Sequence, residues 1–509
     1  MRSLLDRVTG AVTMYMLAIL LLSAIGVIAV VLSLLGMLSY AAPDLLVSAA
    51  VSLVVTVGSS WLVARILRVS AHLPSAIITG LLVFFIMIPS ADPVGLLLIA
   101  LAGLIASGTK HLIAVRGRHI LNPASAGTFV VGILVFSGLL PFTSFPGWWV
   151  GTSALLLPVA IGAFLMLYRT QRLVLGGTFL ALVIAIGTIA TLVRGGTMVD
   201  ALALTILSSP WVFFAGFMLT EPLTLPPRRW QQLTEAAIVA LLIPIPFGFG
   251  PVTNTPQLAL LVGNLFAFVA GQRRGIRLTY LGKTALSPTT WELAFQPAHP
   301  ISFVAGQYME LAIPHRKADF RGSRRYFTIS SAPGADRPIT FTISLPTKSS
   351  SFKRALVDLE PGATVVGTSV GGDFTLPKDA SEPLLLIAGG IGITPFASQL
   401  AHATERGETR DVTVVYATSA PGEVPYARML EQSGARVVLY APDAPSPLPP
   451  NWIYGGAERV SGEGLAQTVP DVASRRTFIS GPPALVSDLR RAARAQGARR
   501  IHTDYFSGY

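Results

Sequence analysis

Apolar residues dominate the first 270 positions and fall into blocks of roughly 17 to 25 residues. A block of this length is enough for an α-helix to cross the hydrocarbon core of a bilayer. The blocks predict ten spans, with soft boundaries, near residues 11–38, 44–67, 75–89, 93–109, 123–141, 153–168, 173–192, 201–219, 234–250 and 256–270. We therefore expect a ten-helix membrane domain, built from inverted repeats, over residues 1–274.

The hydrophobic pattern changes after this half. From Ile276 to residue 380, short alternating runs such as Trp291 to Phe295 and Ile339 to Ser344 lie between Pro and Gly turns. This pattern predicts a small antiparallel β-barrel. After Pro383, buried strand-like runs alternate with helical stretches, which is typical of a doubly wound parallel sheet. Three domains are therefore predicted, at residues 1–274, 275–380 and 381–509.

The composition indicates an integral membrane protein. Of the 509 residues, 52% are hydrophobic and 13% are charged, and the mean hydropathy is +0.61. The first predicted span follows Arg2 and Arg7, but it is too long for a signal-peptide core and has no clear cleavage site, so we expect an uncleaved helix. Cysteine is absent, which excludes disulfides, catalytic thiols and thiolate-held iron–sulfur clusters.

Basic residues mark one side of the predicted membrane domain. The formal net charge is +12, and residues 1–274 hold 14 Lys and Arg against 6 Asp and Glu. Only Arg194 falls on one side of the predicted spans, and the other thirteen fall on the opposite side. Since Lys and Arg favour the cytoplasmic side, we predict a multi-pass protein of the cell membrane with both termini in the cytoplasm. The basic excess flanks the bilayer, so no nucleic-acid partner is expected.

One glycine-rich segment indicates a nucleotide site. The apolar run from Leu384 to Ala388 is followed by Gly389, Gly390 and Gly392 and then by Thr394. This order predicts a buried strand that turns into a helix, where missing side chains let a pyrophosphate approach backbone N–H groups. A glycine-rich turn without a ligand is also common, so the segment alone leaves both interpretations open.

Several motifs occur in a fixed order along the second half of the chain. They are Gly306-Gln307-Tyr308, Arg325-Tyr326-Phe327-Thr328-Ile329-Ser330-Ser331, Lys348 to Ser351, Gly371-Gly372-Asp373-Phe374, Gly389 to Pro395 and Ser480-Gly481-Pro482-Pro483. Together they resemble the ferredoxin-NADP reductase superfamily, which has a flavin-binding barrel and a nicotinamide-binding parallel sheet. The resemblance implies an FAD-dependent NAD(P)H oxidoreductase. The alternative is that Arg325 is an ordinary arginine of a strand and Phe327 an ordinary aromatic residue of the core.

The resemblance implies roles for the flavin-side residues. Arg325 would pair bidentately with the flavin pyrophosphate, and Phe327, next to Tyr326, would stack on the flavin. Thr328 would hydrogen-bond near the flavin N5 atom. The flavin phosphates would be cradled by a turn that contains Lys348, Ser350 and Ser351.

The resemblance also implies roles on the nicotinamide side. Thr394 would lie close to the nicotinamide, together with the Gly481-Pro482 turn. Ser480 stands where the family has a cysteine near the hydride path, and hydride transfer is expected to survive this change. A C-terminal aromatic, Phe506 or Tyr509, would cover the flavin, although an inert tail is the alternative. The segment Tyr416 to Ala420 lacks an arginine for a 2′-phosphate, which weakly favours NADH over NADPH.

Three segments of the membrane half carry a second resemblance. Ser75 to Leu82, Lys110 to Ala124 and Phe217 to Thr224 resemble the D subunit of the Rnf complex and the B subunit of the sodium-pumping NADH:quinone reductase, which are ten-helix flavin carriers. Asn122-Pro123 and Glu221-Pro222 fall at corresponding places in the two five-helix halves. Broken helices there would free backbone groups for a ligand. Prolines that merely start or stop helices are the alternative.

The second resemblance has one departure. Its members attach FMN covalently to a threonine in the loop between helices five and six, and here that loop, Phe142 to Thr152, lacks the attachment motif. We therefore predict a noncovalent second flavin, FMN or riboflavin, near Asn122, Thr220 and Glu221. Weak candidates for covalent attachment are Thr143, Thr152 and Thr197.

A haem-based electron path is a rival interpretation. Two haems need four helix histidines, but the membrane half has only His72, His111 and His119, all at predicted loop edges. Such loop histidines are more often solvated than ligands, and we predict no metal site.

The sequence therefore predicts a membrane-bound flavin oxidoreductase. Electrons would pass from cytoplasmic NAD(P)H through FAD to a membrane flavin and on to an extracytoplasmic acceptor, such as an FMN-binding protein. Thr328, Thr394, Ser480 and Tyr509 would act at the hydride-transfer centre. Two alternatives stay open: an NAD(P)H:quinone reductase, and a transporter with a regulatory reductase-like domain.

Overall fold

The computed structural model describes residues 12–69, 72–115, 118–272, 275–315, 319, 323–345, 349–419 and 424–505. The chain divides into two compact units, one formed by Ala11–Arg273 and the other containing Arg274–Tyr509. The first unit is helical, and the second contains two six-stranded sheets. The chain is therefore a multidomain protein with an N-terminal helical region.

Helices follow one another through the first unit. Their bounds are Met14–Leu34, Ala42–Ile66, Leu73–Ile86, Pro93–Leu112, Pro123–Phe136, Ser153–Arg169, Leu173–Val193, Met198–Leu207, Trp211–Met218, Arg229–Leu242 and Pro256–Gly271. Several starts are set locally by a capping side chain followed by proline. Asp92 accepts a hydrogen bond from the Gly95 amide, and Asn122 accepts one from the Ser125 amide.

The lengths of these helices contradict the prediction of ten membrane spans. In the described part of the chain, four helices are long and apolar enough to cross a membrane, and a pair bent by 45° would make a fifth. Leu73–Ile86 and Pro123–Phe136 have 14 residues each, which is about 21 Å of helix against a hydrocarbon core of about 30 Å. The sequence overcounts because apolar residues continue past helix ends: Met87 forms a bridge with Pro146 instead of another helical turn.

One helix of the helical unit buries small and polar residues and exposes apolar ones. In the helix Ala42–Ile66 one face is a buried stripe of hydroxyl side chains, and Val54 and Leu62 on its other side are 72% and 51% exposed. The Ser52 hydroxyl donates to the Gly80 carbonyl at 2.7 Å. The buried stripe consists of Ser48, Ser52, Thr56 and Ser60. Small polar contacts between helices with apolar outer faces are typical of helices packed in lipid, which suggests membrane association.

The second unit begins with an antiparallel sheet. Its strands lie in the order Arg324–Thr328, Tyr308–Ala312, Thr364–Gly371, Ile276–Ser287, Thr290–Pro297 and Ile339–Ser344. Its core contains Leu278, Leu293, Phe295 and Phe341. A single bridge between Ile329 and Phe341 joins the two edges, but no ladder connects them in the described residues. The closed barrel therefore stays a prediction.

A second, fully parallel sheet follows. Its strands lie in the order Trp452–Gly456, Arg436–Tyr440, Val412–Ala417, Leu384–Gly389, Arg476–Gly481 and Ile501–Tyr505. Apolar clusters cover both faces, which explains why its strands appear as continuous apolar runs in the sequence.

Candidate functional site

The glycine-rich segment lies at the switch point of the parallel sheet. Strand order runs outward in both directions from the pair Leu384–Gly389 and Arg476–Gly481. A short turn, Gly390–Ile393, connects the first of these strands to the helix Thr394–Glu405. Open α/β sheets bind ligands at this crevice, outside the carboxyl ends of the strands.

Two of the three glycines are needed for packing. A Cβ at Gly392 would lie 2.2 Å from the Ser480 carbonyl oxygen, and a Cβ at Gly389 would lie 2.1 Å from Leu485 Cδ2. Gly390 differs, because it has a φ of +53° and no atom within 4 Å of its Cβ position. Gly392 therefore holds the turn against the neighbouring strand, Gly389 lies against the helix Pro483–Ala495, and Gly390 faces open space beside the start of the helix Thr394–Glu405.

We expect Gly390→Val to slow the reduction of bound FAD by NADH at least tenfold without releasing the FAD. The branched side chain would enter the space through which a pyrophosphate approaches the helix start. Stopped-flow absorbance would measure the rate, and Gly390→Ala is the control, because it shares the backbone strain of a positive φ but adds little bulk. Unchanged NADH kinetics in the valine variant would show that the turn is structural only.

Thr394 and Ser480 are both buried near this turn. The Thr394 hydroxyl donates to the Ile391 carbonyl at 3.0 Å, so it closes its own turn. The Ser480 hydroxyl is fully buried and has no hydrogen-bond partner among the described residues. A buried polar group of this kind calls for a partner, and a bound ligand could supply it.

The motifs missed a carboxyl group beside Ser480. Asp504 is half-buried and pairs in register with Ser480 on the adjacent parallel strand. Burial, together with the smaller effect of the neighbouring Asp373, raises the pKa of Asp504 to about 6. The sequence showed only an acidic residue near the C terminus, with no spacing that marked it.

Asp504→Asn should change how stability depends on pH. The unfolded chain has an Asp pKa of about 3.9, and the folded pKa is higher, so the folded state binds the extra proton between these values. The stabilisation by this proton is full at low pH and is lost as pH rises through about 6. We expect the variant to melt above the wild type at pH 7.5 and with it near pH 4, as followed by thermal release of FAD fluorescence. Parallel pH curves would contradict this.

The strand register separates the predicted flavin-side residues onto two faces. Directly opposed residues of an antiparallel pair share a face, and Phe327 is opposite the core residue Met309. Its ring stacks on Phe352 at 5.8 Å between ring centroids. Tyr326 is on the other face, is 38% exposed and meets the ring of Tyr308. The flavin-stacking role of Phe327 stays a prediction, and Tyr326 is the more accessible aromatic.

Arg325 lies in a cluster of anion-binding groups. Its guanidinium is 3.2 Å from Asp319 Oδ1 and stacks 5.3 Å above the centroid of the Phe352 ring. The other Asp319 oxygen accepts from the Ser351 amide at 3.2 Å. His315 lies 3.0 Å from the Ser351 hydroxyl. Arg325 and Ser351 thus converge on one carboxylate, as they would on a phosphate oxygen.

The remaining flavin-side residues are partly outside the described residues. Ser350 accepts from the Lys353 amide at 3.3 Å and caps the helix Ser351–Val357. Thr328 is buried on the face of Tyr326. The predictions for Lys348, Phe506 and Tyr509 concern residues that the structure does not describe. Gly481 and Pro482 lie at the switch point, at the end of the strand Arg476–Gly481.

The helical unit contains a cavity that brings together the predicted membrane-site residues. It is an open pocket with about 60 Å³ of free space inside. Asn122, Thr220 and Glu221 all line it, although they come from segments about 100 residues apart. Its walls are mainly apolar, and include Met14, Ala18, Ile78, Leu82, Met166 and Phe217.

A buried hydrogen-bond network fixes the polar end of this cavity. The Asn122 amide donates to Glu221 Oε2 at 2.9 Å, and His119 Nε2 lies 2.7 Å from Glu221 Oε1. The Asn122 backbone amide donates to Asn264 at 2.8 Å. His119 is only 3% exposed, so the interpretation of this histidine as a solvated loop residue is wrong. Its partner is 102 positions away in the sequence, and no local pattern could reveal the pair.

Two arginines hold the Glu221 segment in place. Arg118 is 6% exposed and donates to the carbonyl oxygens of Pro222 and Leu225 at 3.0 and 3.1 Å. Arg172 donates to the Thr220 carbonyl. These bonds satisfy carbonyl groups freed where the helix ends before Pro222, so the break is a fixed feature of the fold.

Similarity to known proteins defines the class of the C-terminal half, which resembles ferredoxin-NADP reductase-like FAD and NAD domains. A reductase subunit of an aromatic O-demethylase from Amycolatopsis is 26% identical over 245 residues, which are 46% of this chain and 70% of that protein. The NADH oxidoreductase HCR of Escherichia coli is 27% identical over 223 residues, which are 44% of this chain and 65% of that protein. These relatives bear out the predicted enzyme class, an FAD-dependent NAD(P)H oxidoreductase.

Solved structures align with the same share of the chain. A ferredoxin NADP+ reductase from Neisseria gonorrhoeae, with bound FAD and NADP, aligns at 20% identity and a TM-score of 0.38, over 45% of this chain and 98% of that one. The Amycolatopsis reductase GcoB aligns at 24% identity and a TM-score of 0.39, over 46% and 70%. No protein-family model matches the chain, and the resemblance of the helical unit to Rnf and sodium-pumping reductase subunits has no support from these comparisons.

Proposed function

We propose that this protein is a membrane-bound electron-transfer enzyme. NAD(P)H would reduce FAD in the C-terminal half, and electrons would pass to a second, noncovalent flavin in the helical unit and then to an acceptor across the membrane. The observation that carries the proposal is the cavity lined by Asn122, Thr220 and Glu221 in a chain that also has a reductase half.

The reductase half fits FAD and a nicotinamide nucleotide through its own residues. Arg325 and Ser351 converge on an anion position, and Gly390 leaves the start of the helix Thr394–Glu405 open to a second pyrophosphate. The buried Ser480 hydroxyl and Asp504 lie beside that turn. When bound, a flavin accepts two electrons as hydride and can release them one at a time.

The lining of the cavity, which has apolar walls and one polar end, suits a flat, mostly apolar ring with a polar edge. Glu221 is 20% exposed and both its oxygens are already held by His119 and Asn122. A carboxylate has further lone pairs for a ligand N–H, such as the imide of a flavin ring. We propose FMN or riboflavin as the ligand, the cell membrane as the location and a cytoplasmic reductase half, in line with the basic residues that flank the helices.

A quinone is the second candidate for the cavity. The fixed pair of His119 and Glu221, with Nε2 and Oε1 2.7 Å apart, could receive a proton from a quinol hydroxyl. Three relatives are named as reductase components of monooxygenases, such as the ferredoxin reductase component of 3-ketosteroid-9-alpha-monooxygenase from Mycolicibacterium smegmatis. The acceptor of this protein is therefore proposed from its own helical unit: an extracytoplasmic FMN-binding protein.

Cofactor extraction with mass spectrometry tests the proposal directly. We expect one FAD and one further flavin per chain, both released by denaturation. Purified protein in liposomes should oxidise external NADH only when an electron acceptor is sealed inside. A single flavin per chain, or activity that needs only added quinone, would contradict the membrane-flavin path.

A further inference from the structure

Two hydrogen bonds join the antiparallel sheet of the reductase half to the segments that follow the turn Gly390–Ile393, which is called the nicotinamide turn below. The Ser398 hydroxyl donates to the Ser331 carbonyl at 2.6 Å, and Ser398 is fully buried. The Tyr426 phenol donates to Glu292 Oε1 at 3.0 Å and also contacts the Thr342 hydroxyl.

Each end of the first bond is close in sequence to a residue of the proposed reaction centre. Ser331 follows Thr328 by three residues. Ser398 lies one helical turn after Thr394, on the same face of the helix Thr394–Glu405. The bond therefore connects the flavin-side strand end directly to the helix that begins at the nicotinamide turn.

Further hydrogen bonds hold the acceptor side of this connection. The Ser330 and Thr340 hydroxyls lie 2.8 Å apart, and Thr342 donates to Ser330 at 3.1 Å. Thr340 also donates to Glu292 at 3.2 Å. Glu292 and Thr342 are directly opposed on neighbouring strands, so these polar groups form one network on one face of the sheet.

Tyr426 is held in an unfavourable backbone conformation. Its φ is +66°, at the start of the helix Ala427–Gln432. A bulky residue in the left-handed region costs about 1–2 kcal/mol, and such strain persists only where the surroundings fix it. Burial and the nearby Glu292 raise the pKa of Tyr426, so the phenol stays protonated and acts as a donor.

We propose that Ser398 and Tyr426 are positioning residues for hydride transfer, which hold the Thr394 helix and the strand end at Thr328 in one fixed relation. The step they serve moves a hydride, two electrons with one proton, from C4 of the reduced nicotinamide, which is oxidised, to N5 of the flavin, which is reduced. This rests on the proposed oxidoreductase function. Reacting atoms must approach to about 3–3.5 Å, and a misplacement of about 1 Å can cost a hundredfold in rate.

Tyr426→Phe and Ser398→Ala test the proposal in the full-length protein. Each removes one hydroxyl and keeps the surrounding packing. We expect the stopped-flow rate of flavin reduction at saturating NADH to fall about tenfold in each variant, or 1.4 kcal/mol, with the Kd for NADH and the FAD content unchanged. The deuterium isotope effect from 4-deuterated NADH should become more temperature-dependent, because the donor–acceptor distance is no longer fixed.

Two further variants separate positioning from general structure. Ser398→Thr keeps the hydroxyl and should restore the rate. Arg337→Ala removes an exposed ion pair between the same two parts, with 2.8 Å between Arg337 and Glu405, and should have no effect because exposed pairs contribute little. Unchanged rates in both hydroxyl variants, or a fall that only follows loss of FAD or of NADH affinity, would overturn the proposal. A wild-type flavin that NADH and NADPH fail to reduce would overturn the proposed function as well.

Discussion

Arg325→Ala should release FAD from the protein. The Arg325 guanidinium and the Ser351 amide each bind one oxygen of the Asp319 carboxylate, and a diphosphate would accept two charge-assisted bonds from this guanidinium. Such bonds contribute about 1.5–3 kcal/mol each, so the Kd for FAD should rise at least about a hundredfold. Flavin absorbance after dilution and gel filtration would measure the loss.

The adjacent arginine provides a matched control. Arg324 lies on the opposite face of the strand, 3.5 Å from Glu310, so Arg324→Ala should keep the FAD while removing the same charge. Full flavin occupancy in Arg325→Ala would show that the family motif does not carry over to this position. Loss of FAD in the Arg324 variant alone would move the pyrophosphate to the face of Tyr326 and Thr328.

The sequence predicted those parts of the fold that depend on local pattern. Continuous apolar runs indicated strands covered on both faces, and the run from Leu384 to Ala388 is such a strand. The prediction of membrane spans also used a local pattern, and it was wrong because a block of apolar residues does not show where a helix stops. Ile86 ends a helix of 14 residues although Met87 and Ile88 are equally apolar.

Contacts between distant segments set the limits of prediction at the candidate sites. Motif spacing located Gly389, Gly392 and Ser480, and the structure packs Gly392 against Ser480. The face on which Phe327 lies depends on pairing with Met309, which the motif does not encode. The position of Asp504 depends in the same way on strand pairing, because its neighbour Ser480 comes 24 residues earlier in the chain.

At the polar end of the cavity in the helical unit, the sequence indicated some of the residues that meet and missed others. Asn122 and Glu221 line one cavity, but Pro123 lies at the ordinary start of a helix capped by Asn122 and not at a break within a helix. His119 and Asn264 complete the network, and neither has a local signature. The sequence therefore indicated two segments that meet in the helical unit, but it did not indicate which side chains hold them together.

Glu221→Leu or Asn122→Leu should remove the second flavin and abolish electron delivery across a proteoliposome membrane, while NADH-driven reduction of soluble dyes stays intact. Leucine at 221 removes the acceptor at the polar end of the cavity and leaves Asn122 and His119 without their carboxylate, at a cost of about 1–3 kcal/mol for each buried group.

Because this cost could also unfold the helical unit, two milder variants accompany the leucine variants. Glu221→Gln keeps the shape, and Asn122→Ser keeps a helix cap for the Ser125 amide; each should weaken flavin binding at least tenfold. Asp200→Asn changes an exposed acid that bonds only locally with Thr197 and should match the wild type. Two flavins per chain in the leucine variants, or a flavin that stays on the polypeptide after denaturation, would show that the membrane ligand is bound elsewhere.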